Sequence, residues 1–103
     1  LDRIEEVVKK YQKPFIFSEA GCMNIHGSAL VPNHWELQGK EDDAEQADWY
    51  LAMFSACEKR DWVKGCGIWD WPGSMERKSP YAVCDRPAEA VIAEEYSRCA
   101  KNR

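Results

Sequence analysis

Glu19 is the residue from which chemistry is most readily built. It closes the apolar run Phe15-Ile16-Phe17-Ser18, and charged side chains are rarely buried without a reason. A run that is apolar on both faces reads as a parallel strand covered by helices. In parallel α/β folds, ligands collect at the carboxyl ends of the strands. Position alone also allows a solvated carboxylate just past a strand. A second strand-like run, residues 63–69, leads into Trp69-Asp70-Trp71. Strand alternation puts Trp69 and Trp71 on one face and Asp70 on the other. A carboxylate on one strand and an aromatic floor on its neighbour suit glycosidic chemistry. The acid stabilises an oxocarbenium-like centre, and the ring stacks on a pyranose face. Asp70 is a candidate second carboxylate, because retaining glycosidases need two roughly 5 Å apart. Facing away from Trp69, it reads better as half of a structural salt bridge.

Other reactive side chains are less persuasive. His26 and His34 lie between the two runs and suit a metal or a substrate hydroxyl, but no carboxylate-rich ligand spacing accompanies them. Solvated loop histidines are the simpler reading, and no metal is expected. Trp35, after Pro32-Asn33-His34, is a rim aromatic or a loop anchor. Cys22 with His26 makes an imaginable nucleophile–base pair without further support. Gly65-Cys66-Gly67 lacks the rest of a dinucleotide fingerprint and lies within a strand rather than after it.

The elements that must position these residues are set by periodicity. Residues 2–12 carry Ile4, Val7, Val8 and Tyr11 on one helical stripe, with Asp2 and Glu5 at capping-box spacing. Pro14 ends that helix ahead of the first strand. Residues 20–42 hold no sustained period and form a long loop of the kind that is often functional. Residues 44–59 are a second helix, with Asp43 as N-cap and Gln46 three positions on. Its buried stripe is Ala47, Tyr50, Leu51, Phe54 and Cys57. A second long loop, residues 70–86, contains Pro72, Gly73 and Pro80. A third helix starts at Pro87 with Ala88, Val91, Ile92, Tyr96 and Cys99 inward, and the chain ends in the polar tail Lys101-Asn102-Arg103. The order α-β-α-β-α argues for parallel βαβ units.

Composition bounds the rest. The chain has 103 residues, 45% hydrophobic and 31% charged, with a formal net charge of −4. These are the fractions of a folded domain rather than a disordered one. No apolar run approaches the roughly 18 residues of a membrane span. No basic stripe exists to neutralise phosphates, which argues against a nucleic-acid partner. Five Cys form no CxxC pair, and an odd number cannot all pair within one chain. Buried free thiols, and so a lean towards the cytoplasm, are the plain expectation. Five Trp are unusual in this length. They serve either as packing or as a stacking surface for sugar rings.

Two parallel strands cannot form a covered sheet of their own, whereas a closed (β/α)₈ barrel needs about 250 residues. The chain therefore reads as a small irregular α/β domain or as a piece of something larger. Its opening on a helix, at Leu1 rather than Met, favours the piece.

Lys13-Pro14-Phe15-Ile16-Phe17-Ser18-Glu19-Ala20-Gly21 resembles the seventh strand of clan A glycoside hydrolases, where Lys-Pro, an apolar run, and Ser or Thr precede Glu-x-Gly. The segment from Asp43 to Phe54, with Glu45-Gln46-Ala47 and Tyr50, is similar to the next helix of those enzymes. Trp62 to Trp71 is similar to the eighth strand. Ser79-Pro80-Tyr81 and Arg86-Pro87-Ala88-Glu89 resemble the usual close. The family named by this resemblance is glycoside hydrolase family 113, the β-mannanase-like (β/α)₈ enzymes, over residues 12–97. Cys22 stands where an aromatic is expected, His26 where an acid is common, and Pro32-Asn33-His34-Trp35 where a tighter Pro-Trp is typical.

The resemblance implies a C-terminal fragment, α6-β7-α7-β8-α8, of a (β/α)₈ TIM barrel. Residues 1–103 would then be the last two βα units of a catalytic domain. The implied reaction is retaining double displacement on β-mannan or manno-oligosaccharides, without a cofactor. Glu19 takes the nucleophile position and Trp69 floors the catalytic subsite, with Trp35 and Trp71 on the cleft walls. The acid/base glutamate belongs to strand four, outside this chain. Three alternatives stand beside this: another clan A hydrolase acting on β-glucan or β-galactoside; a sugar-binding or scaffold protein without chemistry; and a self-contained small α/β domain with its Trp residues in the core. Open parallel edges predict that the 103 residues alone fold poorly and are inactive.

Overall fold

The computed structural model describes residues 1–72 and 79–102. Gly73 of the second loop and Arg103 of the polar tail lie outside the described residues. The order is α1 (Asp2–Tyr11), β1 (Phe15–Ala20), a 3-10 turn (Ser28–Leu30), α2 (Asp43–Glu58), β2 (Val63–Ile68) and α3 (Pro87–Lys101). The α-β-α-β-α reading holds, and β1 and β2 pair in parallel.

Helix α1 starts differently from expectation. Leu1 is its N-cap without a side-chain cap. Asp2 reaches instead to Arg60, 3.0 Å away, and Glu5 pairs with Lys9 at 2.7 Å. Long-range and i,i+4 ion pairs have taken the two acids that a capping box would use. No residue of α1 is buried, and Val7 and Tyr11 of its apolar stripe are exposed.

Helix α2 begins one residue before the expected position. Asp42, not Asp43, is its N-cap, and its Oδ1 accepts from the Glu45 N–H at 3.0 Å. Asp43 accepts from the Asn24 amide instead, at 2.9 Å. The buried face is Gln46, Ala47, Tyr50 and Phe54. Leu51 is exposed and Cys57 half-buried, so the inward stripe is narrower than periodicity implied. Helix α3 starts at Pro87, where a missing N–H costs nothing. It buries Ala88 and Ile92, while Tyr96 and Cys99 are exposed. One core joins the helices: Ala47, Tyr50 and Phe54 against Val83, Ala88 and Ile92.

The strand ladder runs Phe15↔Val63, Ile16↔Gly65, Phe17↔Cys66 and Ala20↔Ile68. Between the last two pairs, β1 spends two residues, Ser18 and Glu19, where β2 spends one, Gly67. This is a bulge, and alternation breaks there: Ser18 and Glu19 are both exposed. Gly67 is what allows the approach, because a Cβ there would lie 2.3 Å from the Ser18 carbonyl oxygen. Among the described residues the far edge of each strand has no partner, and Ile16 is 63% exposed. That face is not covered on both sides, contrary to the expectation from its apolar sequence.

Residues 20–42 are ordered by packing rather than by period. Cys22, Met23, Asn24, Ile25 and Ser28 are buried. An isolated antiparallel bridge joins Ile25 to Glu41. No helix among the described residues is long and apolar enough to cross a membrane.

Candidate active site

Glu19 stands in the bulge at the end of β1 and is exposed. A bulge beside a site commonly re-aims one side chain, and this one turns Glu19 into a hollow of about 400 Å³. Trp69, one residue past the end of β2, lines the same hollow, as do Phe17, Asn33, Trp49 and Tyr81. That volume falls in the range of small-molecule sites, roughly 300 to 1,000 Å³. The structure brings the expected carboxylate and the expected aromatic together at the carboxyl ends of two parallel strands.

The other two aromatics stand elsewhere. Trp71 lines a separate hollow beside α3, with Ile68, Glu89 and Ile92. The shared face expected for Trp69 and Trp71 is not formed. The strand ends at Ile68, so alternation no longer governs the residues beyond it. Trp35 is 73% exposed on the first loop. It is not among the residues lining the Glu19 hollow, although its neighbours Pro32 and Asn33 are. Asp70 is also outside that lining. Its Oδ1 accepts from the Ser79 hydroxyl at 3.2 Å, and its backbone pairs with Tyr81 and Val83.

Helix α2 holds the two loops that frame the hollow. Gln46 is fully buried. Its Nε2 lies 2.9 Å from the Cys22 carbonyl, 3.3 Å from that of Pro80 and 3.4 Å from that of Ala82. One side-chain amide thus ties the exit of β1 to the segment that leads into α3. The Asn24 N–H donates to the Pro80 carbonyl at 2.9 Å. Tyr81 Oη donates to the Pro32 carbonyl at 2.9 Å. Residue spacing alone presents Gln46 as a capping partner and does not disclose this role. Its inward position on α2, next to Ala47 and four residues from Tyr50, is the signal that points to it.

The first loop is clamped to the start of α2. Glu45 accepts from the Gly27 and Ala29 N–H groups at 3.0 and 2.9 Å. His26 Nδ1 lies 3.0 Å from Asp42 and 3.3 Å from Glu45. The Asp42 hydrogen bond, helped by the Glu45 charge, raises the His26 pKa, and the same bond lowers that of Asp42. These three offer ligand atoms within 4.8 Å of one another, the one place among the described residues where a cation finds three such donors. Both carboxylates already accept backbone N–H groups, so the trio acts as a loop clamp.

Cys22 is fully buried, and burial pushes its thiol pKa up. It donates to Ser28 Oγ at 3.4 Å, and the His26 ring pairs with Asp42 and Glu45 rather than with it. The imagined Cys22–His26 nucleophile is therefore not formed. Cys66 is pushed up to about 11 by burial. Cys22, Cys57, Cys66 and Cys99 are thiols rather than disulfide partners.

Against known proteins, residues 1–86 match Glycoside Hydrolase Family 113. A GH113 β-1,4-mannanase solved as a complex is similar at 46% identity and a TM-score of 0.85. The match covers 93% of this chain and 33% of that one. The GH113 β-mannanase AaManA from Alicyclobacillus acidocaldarius, in complex with ManMIm, is similar at 32% identity and a TM-score of 0.83. That match covers 94% of this chain and 33% of the other. No curated protein matches. The chain spans about a third of the length of these solved structures. With that extent of match in sequence and in fold, the chain belongs to glycoside hydrolase family 113.

Proposed function

We propose that residues 1–103 supply the last two βα units of the catalytic domain of a retaining β-mannosidic hydrolase, with Glu19 as its nucleophile. The observation that carries this is the meeting of Glu19 and Trp69 in one hollow at the carboxyl ends of β1 and β2. The names of the similar structures, β-1,4-mannanases, support β-mannan or its oligosaccharides as substrate.

In the proposed reaction a Glu19 carboxylate oxygen attacks the anomeric carbon as the glycosidic C–O bond breaks. A second carboxyl group, supplied by residues outside this chain, protonates the leaving oxygen. It then removes a proton from the water that hydrolyses the glycosyl–Glu19 ester. The two carboxyl groups need a separation of roughly 5 to 5.5 Å for this outcome. Trp69, half-exposed, offers its ring face to the sugar bound at Glu19. Trp35, on the outer loop, is assigned to more distant sugar units. Trp71 opens towards α3 and is left out of the subsite that holds the reacting sugar.

The test uses the enzyme that carries this chain, with β-1,4-manno-oligosaccharides and cello-oligosaccharides as rival substrates. Glu19→Ala should lower kcat by at least about 10³-fold. Azide should restore turnover and yield a glycosyl azide of inverted configuration. A 2-deoxy-2-fluoro-mannosyl donor should label the peptide bearing Glu19. Label on another carboxylate, with Glu19→Ala still active, would overturn the assignment. Faster cleavage of cello-oligosaccharides would move the substrate to β-glucan.

A further inference from the structure

We propose that Tyr50, on α2, is a positioning residue for Trp69: its hydroxyl holds the Trp69 carbonyl and thereby sets where the indole stands relative to Glu19. The inference rests on the reading of Glu19 and Trp69 as nucleophile and sugar platform.

Trp69 lies one residue beyond β2, where the strand ladder no longer fixes the backbone. Its N–H still donates to the Ala20 carbonyl at 2.9 Å. Its carbonyl accepts from Tyr50 Oη at 3.2 Å. Gly21 closes the third side, for a Cβ there would lie 2.2 Å from that same carbonyl oxygen. The peptide of Trp69 is thus held by the exit of β1 on one side and by α2 on the other, while its side chain is 49% exposed.

Tyr50 is built to hold rather than to react. It is fully buried. Its ring packs edge-on against Trp49 at 5.1 Å and lies 6.3 Å from Phe54, so it has no room to swing away. Burial raises its phenol pKa far above the ordinary range, so the O–H remains a donor at any working pH. Tyr50 is not among the residues lining the Glu19 hollow. Its hydroxyl acts on the hollow through the Trp69 carbonyl. An oxygen deleted from Tyr50 takes away the hydroxyl that holds the Trp69 carbonyl, and a shift of about 1 Å in a positioned group costs on the order of 10²-fold in rate.

The experiment is a double-mutant cycle in the enzyme carrying this chain, using Tyr50→Phe, Trp69→Ala and the pair. With β-1,4-mannohexaose, Tyr50→Phe should lower kcat by about tenfold, the worth of one such hydrogen bond, with KM changed by less than about twofold. In the Trp69→Ala background the same change should alter kcat by less than about twofold, since the group it acts through is gone. Incorporated 5-fluorotryptophan gives a readout independent of turnover. The Trp69 resonance, assigned by its loss in Trp69→Phe, should shift in Tyr50→Phe while that of Trp62 stays. A full tenfold loss retained in Trp69→Ala, or an unmoved Trp69 resonance, overturns the positioning role. Glu19→Ala run alongside separates the failures. If it stays active, the hydrolase reading falls and takes this one with it. If it is inactive while the cycle is additive, only the role of Tyr50 falls.

Discussion

Gly21→Ala adds one methyl group at a place where the structure leaves no room for it. Gly21 does not need a left-handed backbone; it needs space. The new Cβ would sit 2.2 Å from the Trp69 carbonyl oxygen and 3.2 Å from both the Trp69 carbonyl carbon and Cβ. A carbon–oxygen contact takes roughly 3.3 Å, so the two backbones must part by about 1 Å. The obstacle is a peptide group and cannot rotate aside as a side chain would. Overpacking of this kind costs about 1 to 3 kcal/mol. Parting the backbones also strains the Tyr50–Trp69 and Trp69–Ala20 hydrogen bonds, worth about 1 kcal/mol each. Against this, alanine restricts the unfolded chain and returns only about 0.4 to 1 kcal/mol. The balance is a destabilisation of about 2 to 4 kcal/mol. The same 1 Å shift displaces Trp69, the proposed sugar platform, and should lower kcat/KM by on the order of 10²-fold. Urea unfolding measures the first quantity, and hydrolysis of β-1,4-mannohexaose by the folded variant measures the second. A folded Gly21→Ala enzyme with kcat/KM within about threefold of wild type would refute this account, because the carbonyl would then have moved without consequence.

Three further outcomes are expected. Gln46→Leu keeps the bulk but removes the donor to three loop carbonyls; stability should fall by about 2 to 3 kcal/mol, read as a lower urea midpoint, and an unchanged midpoint would mean those carbonyls find other partners. His26 has a raised pKa in the folded state, so its contribution is fully present below its ordinary value of 6.5 and is lost as pH rises through the folded value. The urea midpoint of wild type should exceed that of His26→Gln at pH 5.5 and match it at pH 9.5, and an equal gap at both would show that charge is not involved. Residues 1–103 expressed alone should show no cooperative thermal transition, since both strand edges are open and α1 buries no side chain; a sharp melt by circular dichroism would contradict this.

Elements with strong local periods were legible in the sequence. The order of three helices and two strands, the parallel pairing and the start of α3 at Pro87 are all encoded in residue spacing. The starts of α1 and α2 were less so, because ion pairs and hydrogen bonds elsewhere take the acids that spacing offers as caps. Arg60 takes Asp2, and Asn24 takes Asp43, leaving Asp42 to cap α2. The site was legible only in part. Glu19 and Trp69 were identifiable because each ends an apolar run. The hollow they share depends on a bulge that no local pattern encodes, although Gly67 opposite it is a trace. Trp71 leaves the expected face because β-alternation does not extend past Ile68, where the strand stops. The buried segment around Cys22 and Met23 has no period at all. It is ordered by Ser28 within the loop and by Gln46 and Asp43 of α2, contacts between residues far apart in sequence that no local period reports.

The Glu-x-Gly spacing then has a physical meaning that separates its two ends. The glutamate faces the hollow and is the residue proposed to bear the chemistry. The glycine, two residues on, faces the neighbouring strand's exit and bears none; it leaves room for the Trp69 peptide. Strand ladders end at Ala20 and Ile68, so the residues just beyond them need other means of support. Here that support comes from α2, whose Gln46 and Tyr50 lie one helical turn apart on a single inward face. Gln46 holds carbonyls from the exit of β1 and from the segment ahead of α3, and Tyr50 holds the Trp69 carbonyl at the exit of β2. The helix between the two strands is therefore more than a crossover. It holds the Cys22 carbonyl, three residues past Glu19, and the Trp69 carbonyl from one inward face, so the two candidate site residues share one support.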